Sequence, residues 1–115
     1  MKFVNKIEWV QVYLALEAAE RRIPLNGSEE VRIGARSFCM TRTPDGIFAL
    51  GPKCPHQGFR LAGGKCEDGM LVCPLHRFAF DVKTGKGHGM HLDTFPVEIR
   101  EDGVYVGVEK TVWEW

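Results

Sequence analysis

Two cysteines and two histidines, Cys54, His56, Cys73 and His76, fall in the order C-x-H-x16-C-x-x-H. Each half of the pattern offers one sulfur and one imidazole from a short stretch, Cys54-Pro55-His56-Gln57-Gly58 and Cys73-Pro74-Leu75-His76. A proline follows each cysteine, fixing a dihedral and removing an N–H, so both stretches read as stiff turns. Gly58 allows a close backbone fold where a side chain would clash. A structural zinc site also takes two cysteines and two histidines, but usually as matched pairs, C-x2–4-C with H-x3–5-H. Here the first cysteine and histidine are one residue apart and each loop is mixed. Two sulfide-bridged irons suit the spacing better, with both thiolates on one iron and both imidazoles on the other; zinc is the alternative.

The flanks of these four residues resemble the Rieske [2Fe–2S] domain family. The resemblance rests on CPHQG at 54–58, Leu61-Ala62-Gly63, CPLHRFAFD at 73–81, Phe80-Asp81-x-x-Thr84-Gly85, and Asp45-Gly46-Ile47-Phe48-Ala49-Leu50 ahead of the first ligand. It covers about residues 30–108. It implies an antiparallel β-sandwich carrying a small cluster-binding subdomain of two ligand loops. It also implies one [2Fe–2S] cluster per chain, held by Cys54 and Cys73 on the inner iron and His56 and His76 on the outer, exposed one. Family members that oxidise quinols carry an extra cysteine in each loop, joined as a disulfide, and a serine after the second loop. This chain has Phe59 and Leu75 at the loop positions and Phe78 in place of the serine. By the resemblance that puts it in the ferredoxin and oxygenase branch, near the low end of the family range, roughly −150 mV. The stretch Lys86-Gly87-His88-Gly89-Met90-His91 lacks the proline of the covering loop found in many members, which leaves that loop's role open.

Elements that could position such loops are visible as extended runs ended by turn residues: Glu30–Ile33, Arg36–Arg42, Ile47–Leu50, Met70–Val72, Phe78–Val82, Phe95–Arg100 and Val104–Val108. Asp-Gly pairs at 45–46, 68–69 and 102–103 separate several of them, a strong hairpin signal. Many short strands at such spacing predict an all-β fold, a sandwich or small barrel. Leu14–Arg22 has helix-forming residues and predicts one short helix before Pro24. No internal repeat, low-complexity tract or linker is expected, and the 115 residues read as one domain, 1–115.

Composition bounds the role. Lys plus Arg and Asp plus Glu are equal at 15 each, which gives no support to nucleic-acid binding or to docking on an anionic membrane. The apolar stretch Val10–Leu16 is too short for a membrane span and has no cleavage-site pattern after it, so a soluble cytoplasmic protein is expected. Cys39 and Cys66 read as buried thiols, with a disulfide between them left open. His88 and His91 read as solvated surface residues, Trp9, Trp113 and Trp115 as core or terminal packing, and Gly63-Gly64 as a turn rather than a phosphate loop.

A Rieske oxygenase needs a second, mononuclear iron site, for which no residues remain, so catalysis by the chain alone is not expected. The resemblance implies a one-electron carrier passing electrons from a reductase to an oxygenase or similar acceptor. The alternatives are the small Rieske subunit of an assimilatory nitrite reductase and a structural or sensory iron–sulfur module. An apolar tip of Phe59, Leu61 and Leu75, rimmed by Arg60, Arg77 and Lys65, reads as a docking surface, with the alternative that these charges merely solvate the loops.

Overall fold

The apolar run Phe38-Cys39-Met40 lies in strand β3 (Arg36–Thr43), and its continuity has a simple cause. Side chains of a strand alternate between faces, and here both faces are covered. Phe38 and Met40 enter one core while Cys39 enters another. Strand β4 (Gly46–Leu50) does the same, sending Ile47 and Ala49 to the first core and Phe48 and Leu50 to the second. These strands are the middle of a four-stranded sheet, and a sheet buried on both faces needs near-continuous apolar sequence.

The computed structural model describes every residue of the chain except Gln57 and His76. Its other elements, in chain order, are β1 (Lys2–Tyr13), α1 (Leu16–Arg22), β2 (Ser28–Ile33), β5 (Cys66–Glu67), β6 (Met70–Val72), β7 (Ala79–Asp81), β8 (Lys86–Gly87), β9 (Met90–His91), β10 (Thr94–Phe95), β11 (Val97–Arg100) and β12 (Gly103–Glu114). The sheets run β10-β4-β3-β2, β1-β12-β11, β5-β6-β7 and β8-β9, and every paired ladder is antiparallel. The expected all-β fold is what the chain adopts: a sandwich of the first two sheets, and a smaller unit made from the last two.

The sandwich core holds Tyr13, Ile23, Phe38, Met40, Val104 and Val106. Helix α1 plugs its open side through Ala19, which is fully buried. The helix starts at Leu16, two residues later than the sequence predicts, because Leu14 stays exposed in a bend. Glu17 in its first turn and Arg21 and Arg22 in its last complement the helix dipole. It stops at Ile23, which is extended as the residue before a proline prefers.

The expected single strand over Phe95–Arg100 is instead two. Pro96 has no N–H to give a ladder, so the chain leaves β4 after Phe95 and joins β12 from Val97. Pro96 is the corner between the two sheets of the sandwich. The long ribbon of β1 and β12, paired from Lys2↔Glu114 to Tyr13↔Val104, lies outside the sequence expectation for its first half. Trp113 and Trp115 sit exposed at its far end, so terminal rather than core packing describes them. Among the described residues no helix is long and apolar enough to cross a membrane.

Candidate metal centre

The second core holds Leu61, Leu71, Phe80, Val82 and Leu92 with all four cysteines, Cys39, Cys54, Cys66 and Cys73. Two loops rise from it. The first leaves β4 through Gly51, whose N–H donates to the Asp93 carbonyl at 2.8 Å. The second leaves β6 directly, since Cys73 follows Val72.

The two loops repeat one hydrogen-bond pattern. In the first, the Cys54 N–H donates to the Phe59 carbonyl (2.7 Å) and the Gly58 N–H donates to the Cys54 carbonyl (2.8 Å). In the second, the Cys73 N–H donates to the Phe78 carbonyl (2.7 Å) and the Arg77 N–H donates to the Cys73 carbonyl (3.0 Å). The fifth residue of each loop takes a positive φ, Gly58 at 73° and Arg77 at 55°. Cys-Pro at the start and Phe at the sixth position recur in both. The two loops thus share a six-residue pattern, C-P-x-x-x-F, on which both halves of the candidate site are built.

Each loop turns its cysteine inward and its tip outward. Cys54 is 3% and Cys73 2% exposed, while Pro55, His56, Pro74 and Leu75 face solvent. Thiols in a sealed floor beneath an exposed imidazole suit a group that needs soft ligands inside and a contact edge outside. The fourth predicted ligand, His76, lies outside the described residues. Among the described residues no three His, Cys, Asp or Glu side chains gather as a metal site.

Gly64 lies between the loops. Its N–H donates to the Leu61 carbonyl at 2.9 Å, and its own carbonyl accepts the Ser28 hydroxyl at 2.5 Å. A Cβ there would meet the Val72 carbonyl, just before Cys73, so the loops approach as closely as a glycine permits. Gly63-Gly64 is a turn, as expected, with this added packing role.

Aromatic rings join the two loops. His56 meets Phe78 edge to face, with centroids 4.7 Å apart at 61°. His88 stacks on Phe78 at 4.7 Å and 22°, and meets the buried Phe80 edge-on at 6.5 Å. The sequence reading of His88 as merely solvated thus needs correction: it is exposed, but its ring is in contact. His91 is exposed, as expected.

The rim also differs from the sequence expectation. Leu61 is fully buried and is floor rather than tip, leaving Phe59 and Leu75 as the exposed apolar residues of the expected trio. Arg60 pairs with Glu30 at 2.9 Å and Arg77 with Glu67 at 3.3 Å, so both arginines carry their own counter-charges. No disulfide joins Cys39 to Cys66. Burial pushes the Cys39 thiol up to about 12 and the Cys66 thiol up to about 11, which holds both as inert protonated thiols.

Comparison with known proteins bears on the family and the fold. The profile of the Rieske [2Fe–2S] domain family matches residues 9–96. Ferredoxin CarAc of Metapseudomonas resinovorans is 32% identical over 104 residues, 87% of this chain and 97% of that protein. The ferredoxin component of the alkene monooxygenase system of Xanthobacter autotrophicus is 37% identical over 81 residues, 67% of this chain and 66% of that one. Among solved structures, a complex of reduced oxygenase and oxidised ferredoxin in carbazole 1,9a-dioxygenase superposes with a TM-score of 0.70 at 29% identity, covering 85% of this chain and 91% of that one. A nitrite reductase small subunit from Mycobacterium tuberculosis shares the fold, with a TM-score of 0.70 at 16% identity over 91% of this chain and 96% of that one.

Proposed function

The chain belongs to the Rieske [2Fe–2S] domain family, which makes it an electron-carrying iron–sulfur protein, and from that premise we propose that Cys54, His56, Cys73 and His76 hold its cluster. The observation that carries this assignment is the repeated loop: the same hydrogen bonds, written twice, put one buried cysteine under each exposed tip. When bound, the cluster takes up and releases single electrons.

The chain's own residues define how that exchange is contained. Cys54 and Cys73 sit in a dry floor closed by Leu61, Leu71 and Phe80. His56 is the exposed edge on the first loop. Phe59 and Leu75 flank the tips with about half their surface in solvent, a small apolar collar suited to transient contact. The paired Arg60 and Arg77 make the rim closer to neutral than a free basic patch. The partners proposed are a reductase as donor and an oxygenase as acceptor, with the whole of 1–115 acting as one soluble, cytoplasmic carrier domain. The small subunit of an assimilatory nitrite reductase is the weaker reading, since the likeness there is of fold, whereas a ferredoxin relative aligns along almost its full length.

Neither loop bears a second cysteine, and Phe78 has no hydroxyl to donate toward a cluster sulfur. The midpoint potential is accordingly placed near the bottom of the Rieske range, roughly −150 mV. Iron and sulfide analysis with EPR of the reduced protein tests the ligand set. Two irons per chain and a rhombic signal of histidine-ligated type are expected, and each of the variants Cys54→Ala, His56→Ala, Cys73→Ala and His76→Ala abolishes that signal. A colourless zinc protein, or a clearly positive midpoint, would sink the corresponding part of the reading.

A further inference from the structure

We infer that His88, at the tip of the β8–β9 hairpin, is a positioning residue for His56, acting through the Phe78 ring that lies between them. The inference rests on the ligand role proposed for His56 and deepens it.

Three rings from three segments are in series: His56 from the first loop, Phe78 from the second, His88 from the hairpin. Phe78 is half-buried, with the edge contact to His56 and the near-parallel stack with His88 both at 4.7 Å. A Phe78 ring held by the His88 stack presents a fixed surface to the His56 ring and so helps set its orientation.

The hairpin is seated so that His88 can do this. Gly87 lies against the Ala79 carbonyl and the Phe80 backbone, where a Cβ would collide. Gly85 is pressed in the same way against the Leu92 carbonyl, and the Leu92 N–H donates to the Gly85 carbonyl at 2.8 Å. The base of the hairpin therefore has little room to slide over β7. Its turn is His88-Gly89, both at positive φ (53° and 72°), between the pairs Gly87↔Met90 and Lys86↔His91. A two-residue turn of this kind favours Asn-Gly. Histidine occupies the place that asparagine or glycine fills more easily, and what histidine adds there is the ring that stacks on Phe78.

The test compares His88→Asn, which suits the turn but removes the ring, with His88→Phe, which keeps a ring and removes the imidazole nitrogens. Wild-type protein is first checked for two irons and the EPR signal; failure there overturns the ligand assignment and the positioning role together, whereas failure in the variants alone overturns only the positioning role. In loaded protein, His88→Asn is expected to broaden the EPR lines of the reduced form. It is also expected to raise the midpoint, because water reaches the more negative reduced state. A roughly 3-fold change in the reduction equilibrium would read as about 28 mV at 59 mV per decade. His88→Phe is expected to restore both readings. The inference is overturned if His88→Asn matches wild type, or if His88→Phe departs as far as His88→Asn does. Should His88→Asn fail to load, loading recovered by His88→Phe and not by His88→Gly supports the inference, while recovery by His88→Gly, which relaxes the turn without a ring, overturns it.

Discussion

Replacing Gly64 by alanine should force the two ligand loops apart. The added methyl would meet the Val72 carbonyl, lie 2.9 Å from the Leu61 carbonyl and 3.4 Å from the Pro74 Cδ. The first two obstacles are backbone, fixed by their own ladders and turns, so the strain cannot be relieved by rotating a side chain. Leu61 belongs to the end of the first loop and Val72 precedes Cys73, so any relaxation moves the loops relative to each other. Overpacking of this kind costs about 1–3 kcal/mol. At ~4 °C per kcal/mol for a domain of this size, that is a fall in Tm of about 4–12 °C. Gly63→Ala is the control: nothing lies within 4 Å of its Cβ position, but its φ is 89°, so it carries backbone strain alone, roughly 1–2 kcal/mol. Thermal melts of both variants, with iron content and visible circular dichroism, separate the effects. Both should lose stability, and Gly64→Ala alone should lose iron or alter the spectrum. A Gly64→Ala protein with wild-type Tm and spectrum would refute the packing argument, as would a Gly63→Ala protein with an equally disturbed spectrum.

The repeated loop makes a paired prediction: Gly58→Ala should cost roughly 1–2 kcal/mol, whereas Arg77→Gly trades relief of the same strain against chain entropy of about 0.5–1 kcal/mol and should be near neutral in urea denaturation. The opposite ranking would show that the loops are not equivalent. Cys39 and Cys66 should resist iodoacetamide at pH 8 in the native protein, read by mass spectrometry. Because both thiols are raised in the fold, the unfolded chain ionises first, so stability is full below about pH 9 and falls as pH climbs toward about 11 for Cys66 and about 12 for Cys39. Denaturation midpoints that rise over that interval would contradict this sign. Glu30→Gln with Glu67→Gln releases Arg60 and Arg77 from their partners, and electron transfer to an acidic acceptor should become faster and more salt-dependent in stopped-flow measurements. Stability should move by no more than about 1 kcal/mol per exposed pair, and an unchanged salt slope would count against the arginines' place in docking.

The motif behind the proposed ligands and the middle sheet were legible in the sequence because chemistry and burial each leave few choices. Only certain residue types bind iron, and a strand buried on both faces must be apolar throughout, as Phe38-Cys39-Met40 is. Strand β1 was obscure for the converse reason. Its first half is exposed on both faces, Phe3 and Ile7 included, and only Val12 and Tyr13 reach the sandwich core, while its partner strand is far away in sequence, Lys2 opposite Glu114. Leu61 looked exposed because it sits in a loop of charged and small residues, yet that loop folds over the second core. The loop repeat was present as C-P-x-x-x-F, but with only three shared residues it becomes a signal once the backbone bonds are known. His88 could not have been distinguished from a solvated histidine, since its partner is a phenylalanine ten residues back across two turns.

The ladder that pairs Lys2 with Glu114 places these two residues one strand spacing apart, about 5 Å. A unit that can be closed there tolerates a different point of opening. Joining residues 1 and 115 by a short link and reopening the chain at an exposed turn such as Pro44-Asp45 would leave both cores and both loops untouched. By the same geometry, the whole unit could be spliced into a surface turn of another protein, interrupting its host by little more than the width of a hairpin.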